Sequence, residues 1–115
     1  MNLDFEKLDE NIGVFKLNGN LIGENDGMPL TEAFDEQIEN GFQNFILDLS
    51  DLKLINSSGI GVFITLLTKA RKKEGDVVIV NPSSYIQNLL MITKLNSIFQ
   101  IFDTNIEASE MLKKV

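Results

Sequence analysis

The segment that decides the fold is an apolar run, Phe45-Ile46-Leu47-Asp48-Leu49, followed after a short connection by Ser57-Ser58-Gly59-Ile60-Gly61. A compact run of this kind is typical of a strand that is covered on both faces of a sheet. The second segment predicts the start of a helix, because either serine can cap the free amides of the first turn. This helix is expected to continue to about Lys73 and to stop at Glu74-Gly75.

The chain before this segment predicts a hairpin, a loop and a helix. Residues 3–8 and 12–17 are typical of strands, and the polar residues between them predict a turn. Residues 19–29 contain three glycines, which predicts a loop. Apolar residues at helical spacing then predict a helix over residues 30–38, with Gly41 as its C-terminal stop.

The connection between the strand and the helix is expected to be short and partly buried. Two carboxylates near the strand end, Asp48 and Asp51, could approach each other, but no partner acid, base or metal ligand for catalysis is evident. Residues 51–56 are predicted to direct three apolar side chains into the core, namely Leu52, Leu54 and Ile55.

The remaining chain alternates between strands and helices. Residues 77–80 predict a second buried strand, and Asn81-Pro82 predicts the cap and first position of a helix that ends near Thr93. Residues 98–102 predict a further strand, and Thr104 with Glu107 has the spacing of a capping box at the start of a last helix.

The predicted order of elements is therefore β-β-α-β-α-β-α-β-α. This order indicates an α/β fold with a mostly parallel central sheet, an N-terminal hairpin at its edge and four helices. A length of 115 residues indicates a single domain over residues 1–115.

Composition excludes several classes of function. The chain has no histidine and no cysteine, which excludes Ser-His-Asp and Cys-His relays and the usual zinc sites, and no metal or cofactor is implied. The net charge of −7 disfavours nucleic acid as a partner. We expect no membrane insertion because no apolar run approaches about 20 residues. The acidic start is unlike a signal peptide, so a cytoplasmic location is the expectation.

Charge is unevenly distributed along the chain. Residues 1–50 contain 11 acidic and 2 basic side chains, whereas residues 51–115 contain 6 acidic and 8 basic ones. The acidic excess is either an ordinary hydrated surface or a field that steers a basic partner.

The junction between the buried strand and its helix is the candidate site. The carboxyl end of a strand in an open parallel sheet is where such folds usually carry function. Gly59-Ile60-Gly61 lacks the third glycine of a dinucleotide-binding loop, because Ile64 stands in its place. Two interpretations remain open, namely ordinary capping with close packing, or two hydroxyls and an apolar helix face presented to a partner.

The same residues resemble the signature of STAS domains, and specifically of the bacterial anti-sigma factor antagonists. The resemblance rests on Leu47 to Leu52 and Ile55 to Gly61, with support from Gly19-Asn20-Leu21 and Ile86 to Leu90, and it covers nearly the whole chain. It departs from the family at three positions: Asn56 replaces a common aspartate, Ile22 a common acidic residue, and Lys94 a frequent glycine.

The resemblance implies a partner-switching role without enzymatic activity. The unphosphorylated protein would bind an anti-sigma factor that is also a serine kinase, and phosphorylation of Ser57 would release it. A PP2C-type phosphatase would restore the unphosphorylated form. The glycines would let another backbone come close. The implied partner-binding residues are Asn56, Ser58, Gly59, Ile60, Gly61, Phe63, Asn20 and Leu21.

Other functions are also compatible with the sequence. The chain could be a STAS module that docks onto a transporter or another signalling complex without phosphorylation. It could also bind a small apolar ligand beside the helix that contains Ile60. A stand-alone enzyme is the interpretation that the composition favours least.

Overall fold

The structure, a computed structural model, describes residues 1–113. Within these residues the order of strands and helices is the predicted one. The elements are β1 (Asn2–Asp9), β2 (Ile12–Leu21), α1 (Gly23–Glu39), β3 (Asn44–Ile55), α2 (Ser57–Lys72), β4 (Asp76–Val80), α3 (Ser84–Ile92), a 3₁₀ turn (Leu95–Ser97), β5 (Ile101–Phe102) and α4 (Asn105–Lys113). None of these helices is long and apolar enough to cross a membrane.

The five strands form one sheet in the order β1-β2-β3-β4-β5. β1 pairs antiparallel with β2, and the other neighbours are parallel, which confirms the predicted mostly parallel sheet with a hairpin at its edge. Because parallel strands need crossover connections, the helices cover the faces of the sheet.

The core has two parts, one on each face of the sheet. The larger part lies between the sheet and the layer of α1, α2 and α3, and the smaller lies under α4. Three buried phenylalanines join β2, α1 and β3 in the larger part. The ring centroids of Phe34 and Phe45 are 4.3 Å apart, and those of Phe15 and Phe45 are 5.9 Å apart. Aromatic contacts at these distances add to the stabilisation from burial.

The predicted loop over residues 19–29 is wrong. β2 continues to Leu21, which is fully buried, and α1 begins at Gly23. Gly23 has a φ of +79°, so it makes the sharp turn between strand and helix. Pro29 lies inside α1, where it removes one backbone hydrogen bond. The helix nevertheless continues, since the buried Leu30 and Phe34 hold it against the sheet.

The predicted connection over residues 51–56 is also wrong, because β3 extends to Ile55. Leu52 and Ile55 are buried as expected, but Leu54 is 45% exposed. Leu54 pairs in register with Asn20, next to a shift in the pairing of β2 with β3. The carboxyl end of β3 therefore lies beside the carboxyl end of β2, where Ile55 pairs with Leu21.

Two further boundaries in the second half of the chain differ from prediction. α3 begins at Ser84, and its cap is the Ser83 hydroxyl, which accepts a hydrogen bond from the Ile86 amide at 3.3 Å. The strand predicted over residues 98–102 shrinks to Ile101–Phe102, because the 3₁₀ turn before it leads into the buried Phe99.

The cap of α4 follows the sequence prediction. The Thr104 hydroxyl accepts a hydrogen bond from the Glu107 amide at 3.2 Å. At its other end, Lys113 forms an ion pair with Asp9 at 2.8 Å, which joins α4 to the end of β1.

Candidate functional site

The candidate site lies where β2 and β3 end and α1 and α2 begin. Asn56 is the N-cap of α2, and its Oδ1 accepts hydrogen bonds from the Gly59 amide at 3.0 Å and from the Gly23 amide at 3.4 Å. The backbone amide of Asn56 donates a hydrogen bond to the Leu21 carbonyl oxygen at 3.4 Å. The Asn56 side chain therefore joins the two helix starts, and its backbone amide joins them to the end of β2. The predicted capping of α2 by Ser57 or Ser58 is wrong.

Ser57 and Ser58 occupy the first two positions of α2, and both are exposed. The hydrogen bonds found among residues 1–113 use neither hydroxyl and neither of the two amides. Because Asn56 performs the capping, both hydroxyls are free for other chemistry. The two amides point from the positive end of the helix dipole, where negative charge is stabilised.

The two glycines of the motif have different surroundings. A Cβ atom at Gly59 would lie 2.6 Å from the Leu21 carbonyl oxygen and 2.7 Å from Cγ1 of Ile55. Gly59 therefore allows close approach of the chain's own strand end rather than of a partner. A Cβ atom at Gly61 would have no other atom within 4 Å, so Gly61 faces open space.

Four of the residues expected to contact a partner lie beneath the surface, namely Gly59 and three apolar residues. Leu21 and Phe63 have no exposed area, and Ile60 is 8% exposed. Direct contact with a partner does not fit this burial, because each side chain is part of the larger core. These side chains belong to the core that packs the start of α2 against the sheet. Asn20 is exposed beside Leu54.

Sequence reasoning missed a set of exposed apolar side chains at or beside these helix starts, which we call the apolar rim. Met28 belongs to the apolar rim because the neighbouring Gly27 packs closely against Val62, which brings this part of α1 next to α2. Leu54 enters it because β3 is longer than predicted. Period-two alternation would have placed Leu54 on the same face as the buried Leu52, so no local signal marked its exposure. The members of the rim and their exposed fractions are Ile22 at 45%, Met28 at 56%, Leu54 at 45% and Ile64 at 40%.

The ionisable residues of α2 lie toward its C-terminal end. The helix has no ionisable residue from Ser57 to Thr68. Farther along, Lys69 binds Asp35 of α1 at 2.9 Å, so the basic end of α2 lies beside part of the acidic α1. This contact offsets some of the acidic excess in the first half of the chain.

The two carboxylates considered for catalysis have structural partners. Asp48 accepts a hydrogen bond from the Ser50 amide at 3.0 Å, and Asp51 forms an ion pair with Lys16 at 3.3 Å. Hydrogen bonding to Asp51, with further attraction from Asp51, Asp48 and Asp4, raises the pKa of Lys16. Within residues 1–113 no group of three acidic side chains is arranged to hold a metal ion.

A groove of about 700 Å³ lies at the other side of the molecule and is not part of the site. Arg71, Asp76 and Met111 contribute to its lining, together with residues 96–102. It does not include the first turns of α2, so it does not correspond to the ligand site considered beside Ile60.

Comparisons with known proteins identify the family and the fold of this chain. The STAS domain family model matches residues 5–108. A Thermotoga neapolitana protein, provisionally named an anti-sigma factor antagonist, is 32% identical over 104 residues, which are 90% of this chain and 92% of that protein. The crystal structure of a Thermotoga maritima protein with the same provisional description has a TM-score of 0.87 and 28% identity, and covers 97% of this chain and 95% of that one.

The fold is also that of the anti-sigma factor antagonist SpoIIAA. Its unphosphorylated form has a TM-score of 0.78 and 18% identity, with 99% of this chain and 100% of that one covered. The phosphorylated form from Bacillus has a TM-score of 0.76 and 19% identity, with 96% and 98% covered. The family match spans residues 5–108, which is most of the chain, so this chain belongs to the STAS domain family.

Proposed function

We propose that this protein is an anti-sigma factor antagonist in a partner-switching pathway. In its unphosphorylated form it binds an anti-sigma factor that is also a serine kinase, and phosphorylation of Ser57 releases it. A PP2C-type phosphatase restores the unphosphorylated form.

The observation that carries the proposal is the exposed Ser57 at the first position of α2, whose hydroxyl is free because Asn56 caps the helix.

The chain is the substrate of this chemistry and not its catalyst. The Ser57 Oγ attacks the γ-phosphorus of ATP, an O–P bond forms, and the bond from that phosphorus to the bridging oxygen of ADP breaks. The hydroxyl proton passes to a base of the kinase, and ADP leaves. Because the donor is ATP, the proposal places the protein in the cytoplasm.

The folded domain is expected to tolerate the phosphate. A phosphoserine adds roughly 1.5 to 2 negative charges at pH 7. The start of α2 favours negative charge through the helix dipole and the unpaired amides of Ser57 and Ser58. The phosphate is therefore expected to destabilise the complex and not the fold. Each ~1.4 kcal/mol of binding free energy that is lost raises the Kd tenfold.

The proposed partner surface consists of exposed residues at the start of α2 and of the apolar rim. The buried Leu21, Ile60 and Phe63 shape this surface from below. Gly61 provides an open position at which a partner backbone can approach α2 closely.

The experiment is phosphorylation of the purified protein by its cognate anti-sigma factor with ATP, followed by mass spectrometry of the modified peptide. We expect phosphate on Ser57 in the wild type and in Ser58→Ala, and none in Ser57→Ala. Ser57→Ala should also bind the anti-sigma factor constitutively. Phosphate only on Ser58, or binding of the anti-sigma factor without any phosphorylation, would contradict the assignment, and the second result would favour a docking module.

A further inference from the structure

We infer that the side-chain amide of Asn56 selects the partner, because its Nδ2 donates a hydrogen bond to an acceptor oxygen of the anti-sigma factor. This inference rests on the proposed function and deepens it, since it concerns which partner the same site accepts. A chain with aspartate at this position would present an acceptor there and would need a donor on its partner.

The orientation of the Asn56 side chain is fixed by two backbone amides. The amides of Gly59 and Gly23 donate hydrogen bonds to Oδ1 at 3.0 Å and 3.4 Å. Only the oxygen of a side-chain amide can accept these hydrogen bonds, so Nδ2, with its two hydrogens, is turned the other way. The hydrogen bonds that the structure describes for Asn56 use Oδ1 and not Nδ2, and the residue is exposed. Nδ2 is therefore available to donate to a partner.

The position of Asn56 next to Ser57 means that the partner covers it. Phosphoryl transfer brings the γ-phosphate of ATP and a base of the kinase to the Ser57 hydroxyl, and the Cα atoms of adjacent residues are only about 3.8 Å apart. A donor that is removed from water without an acceptor weakens the complex, so an oxygen of the partner is needed opposite Nδ2. A kinase face that carries a base for the Ser57 proton already presents acceptor groups at this place.

The charges around Asn56 do not make this selection. Lys53, three residues earlier on β3, is exposed, while Glu24 and Asp26 belong to the first turn of α1. The Asp26 carboxylate accepts a hydrogen bond from the Ile22 amide at 2.9 Å. Both signs of charge therefore occur beside the site, so net charge favours neither an acidic nor a basic partner group opposite Asn56. The outward N–H group is the feature that distinguishes an acceptor from a donor.

Helix capping by itself gives a different expectation for Asn56→Asp. An aspartate keeps an oxygen for the Gly59 and Gly23 amides and is as good an N-cap as asparagine. Its second oxygen would take the place of Nδ2, so the outward group would change from a donor to an acceptor. If Asn56 only caps α2, the substitution leaves binding unchanged. If Nδ2 contacts the partner, two acceptors face each other in the variant and binding is weakened.

The experiment measures the Kd of the cognate anti-sigma factor, with ADP bound so that no phosphate is transferred, for the wild type and three variants. Asn56→Asp should raise the Kd by about tenfold. Asn56→Ser should also raise it by about tenfold, because serine keeps a capping oxygen and the neutral charge but lacks the outward amide. Urea unfolding of both variants shows whether the fold is kept, and the midpoint of Asn56→Asp should not fall.

Asn40→Asp is the matched control. It makes the same exchange, with the same added charge, at an exposed residue just beyond the far end of α1. The 17 residues of α1 place it about 25 Å from Gly23, so the Kd should stay at the wild-type value.

The outcomes are distinct. Equal Kd values for Asn56→Asp and the wild type would overturn the inference and leave Asn56 with capping alone, with the proposed function intact. Weaker binding by Asn56→Asp but not by Asn56→Ser, or equal weakening by Asn40→Asp, would also overturn it, because added charge and not the missing donor would then be responsible. A wild type that does not bind the anti-sigma factor would contradict the proposed function itself.

Discussion

The two glycines of the α2 motif should respond in opposite directions to the same substitution. Gly59 and Gly61 are two residues apart in one helix, and alanine is the better helix former at both positions. Their surroundings differ, since Gly59 contacts the ends of β2 and β3 while Gly61 faces open space. Gly61→Ala should therefore stabilise the domain, and Gly59→Ala should destabilise it.

The magnitudes follow from the atoms that a new Cβ would meet. At Gly61 no atom lies within 4 Å, so the full helix-propensity gain of about 0.5–1 kcal/mol remains. At Gly59 the new atom would lie 2.6 Å from the Leu21 carbonyl oxygen, a backbone atom of a paired strand. Overpacking of this kind costs about 1–3 kcal/mol, which exceeds the propensity gain. We expect a net loss of about 1–2 kcal/mol for Gly59→Ala.

The assay is equilibrium unfolding in urea followed by far-ultraviolet circular dichroism, which suits a chain without tryptophan. For a urea m-value near 1.5 kcal/mol/M, Gly61→Ala should raise the midpoint by about 0.5 M and Gly59→Ala should lower it by about 1 M. The m-value should stay unchanged for both, because neither change alters the surface exposed on unfolding.

Two results would refute this reasoning. Stabilisation by Gly59→Ala would mean that the ends of β2 and β3 yield without cost. Destabilisation by Gly61→Ala, with the same m-value, would mean that position 61 is not open and that the description of the partner surface at α2 is wrong.

Substitutions at three further positions test other contacts. Asn56→Ala should lower the free energy of unfolding by about 1 kcal/mol through loss of the N-cap, whereas Asn56→Asp keeps the acceptor and should raise it by about 0.5 kcal/mol through the helix dipole, both read from urea midpoints near pH 7. Lys94 has a φ of +61°, so Lys94→Gly should raise the thermal midpoint, with a gain of about 0.5–1 kcal/mol. The hydrogen bond from Lys113 lowers the pKa of Asp9 below 3.8. The ionised Asp9 therefore stabilises the fold above pH 3.8, and this stabilisation is lost as the pH falls through the pKa of Asp9 in the folded protein. Asp9→Asn should therefore reduce the loss of stability between about pH 6 and about pH 3, and an unchanged loss would contradict the role of this pair.

Most of the fold was predictable because its signals are local. The compact run in β3, the small residues at the start of α2 and the capping box of α4 each predict an element from neighbouring residues, and each element is present. The α1 region was not predictable in this way. Gly23, Gly27 and Pro29 are unfavourable in an isolated helix, and α1 forms there because Gly27 fits against Val62 of α2 and Leu30 is buried.

Some features of the candidate site were likewise predictable from neighbouring residues, and others depend on residues distant in sequence. The exposure of Ser57 and Gly61 agrees with the motif, but the motif did not indicate that Asn56 caps α2 and also receives the Gly23 amide across 33 residues of chain. Burial of Phe63 depends on which side of α2 faces the sheet, and exposure of Leu54 depends on how far β3 pairs with β2.

By itself, then, the sequence determined the α/β order, the mostly parallel sheet and the serine at a helix start, because hydrophobic periodicity and helix-end residues act within a few positions of the chain. It also excluded histidine and cysteine chemistry. Only the tertiary structure decided which side chains of the motif reach the surface, and it placed the apolar rim together from α1, β3 and α2. The physical reason is that burial and close packing depend on residues distant in sequence, such as Gly27 with Val62 and Leu21 with Gly59.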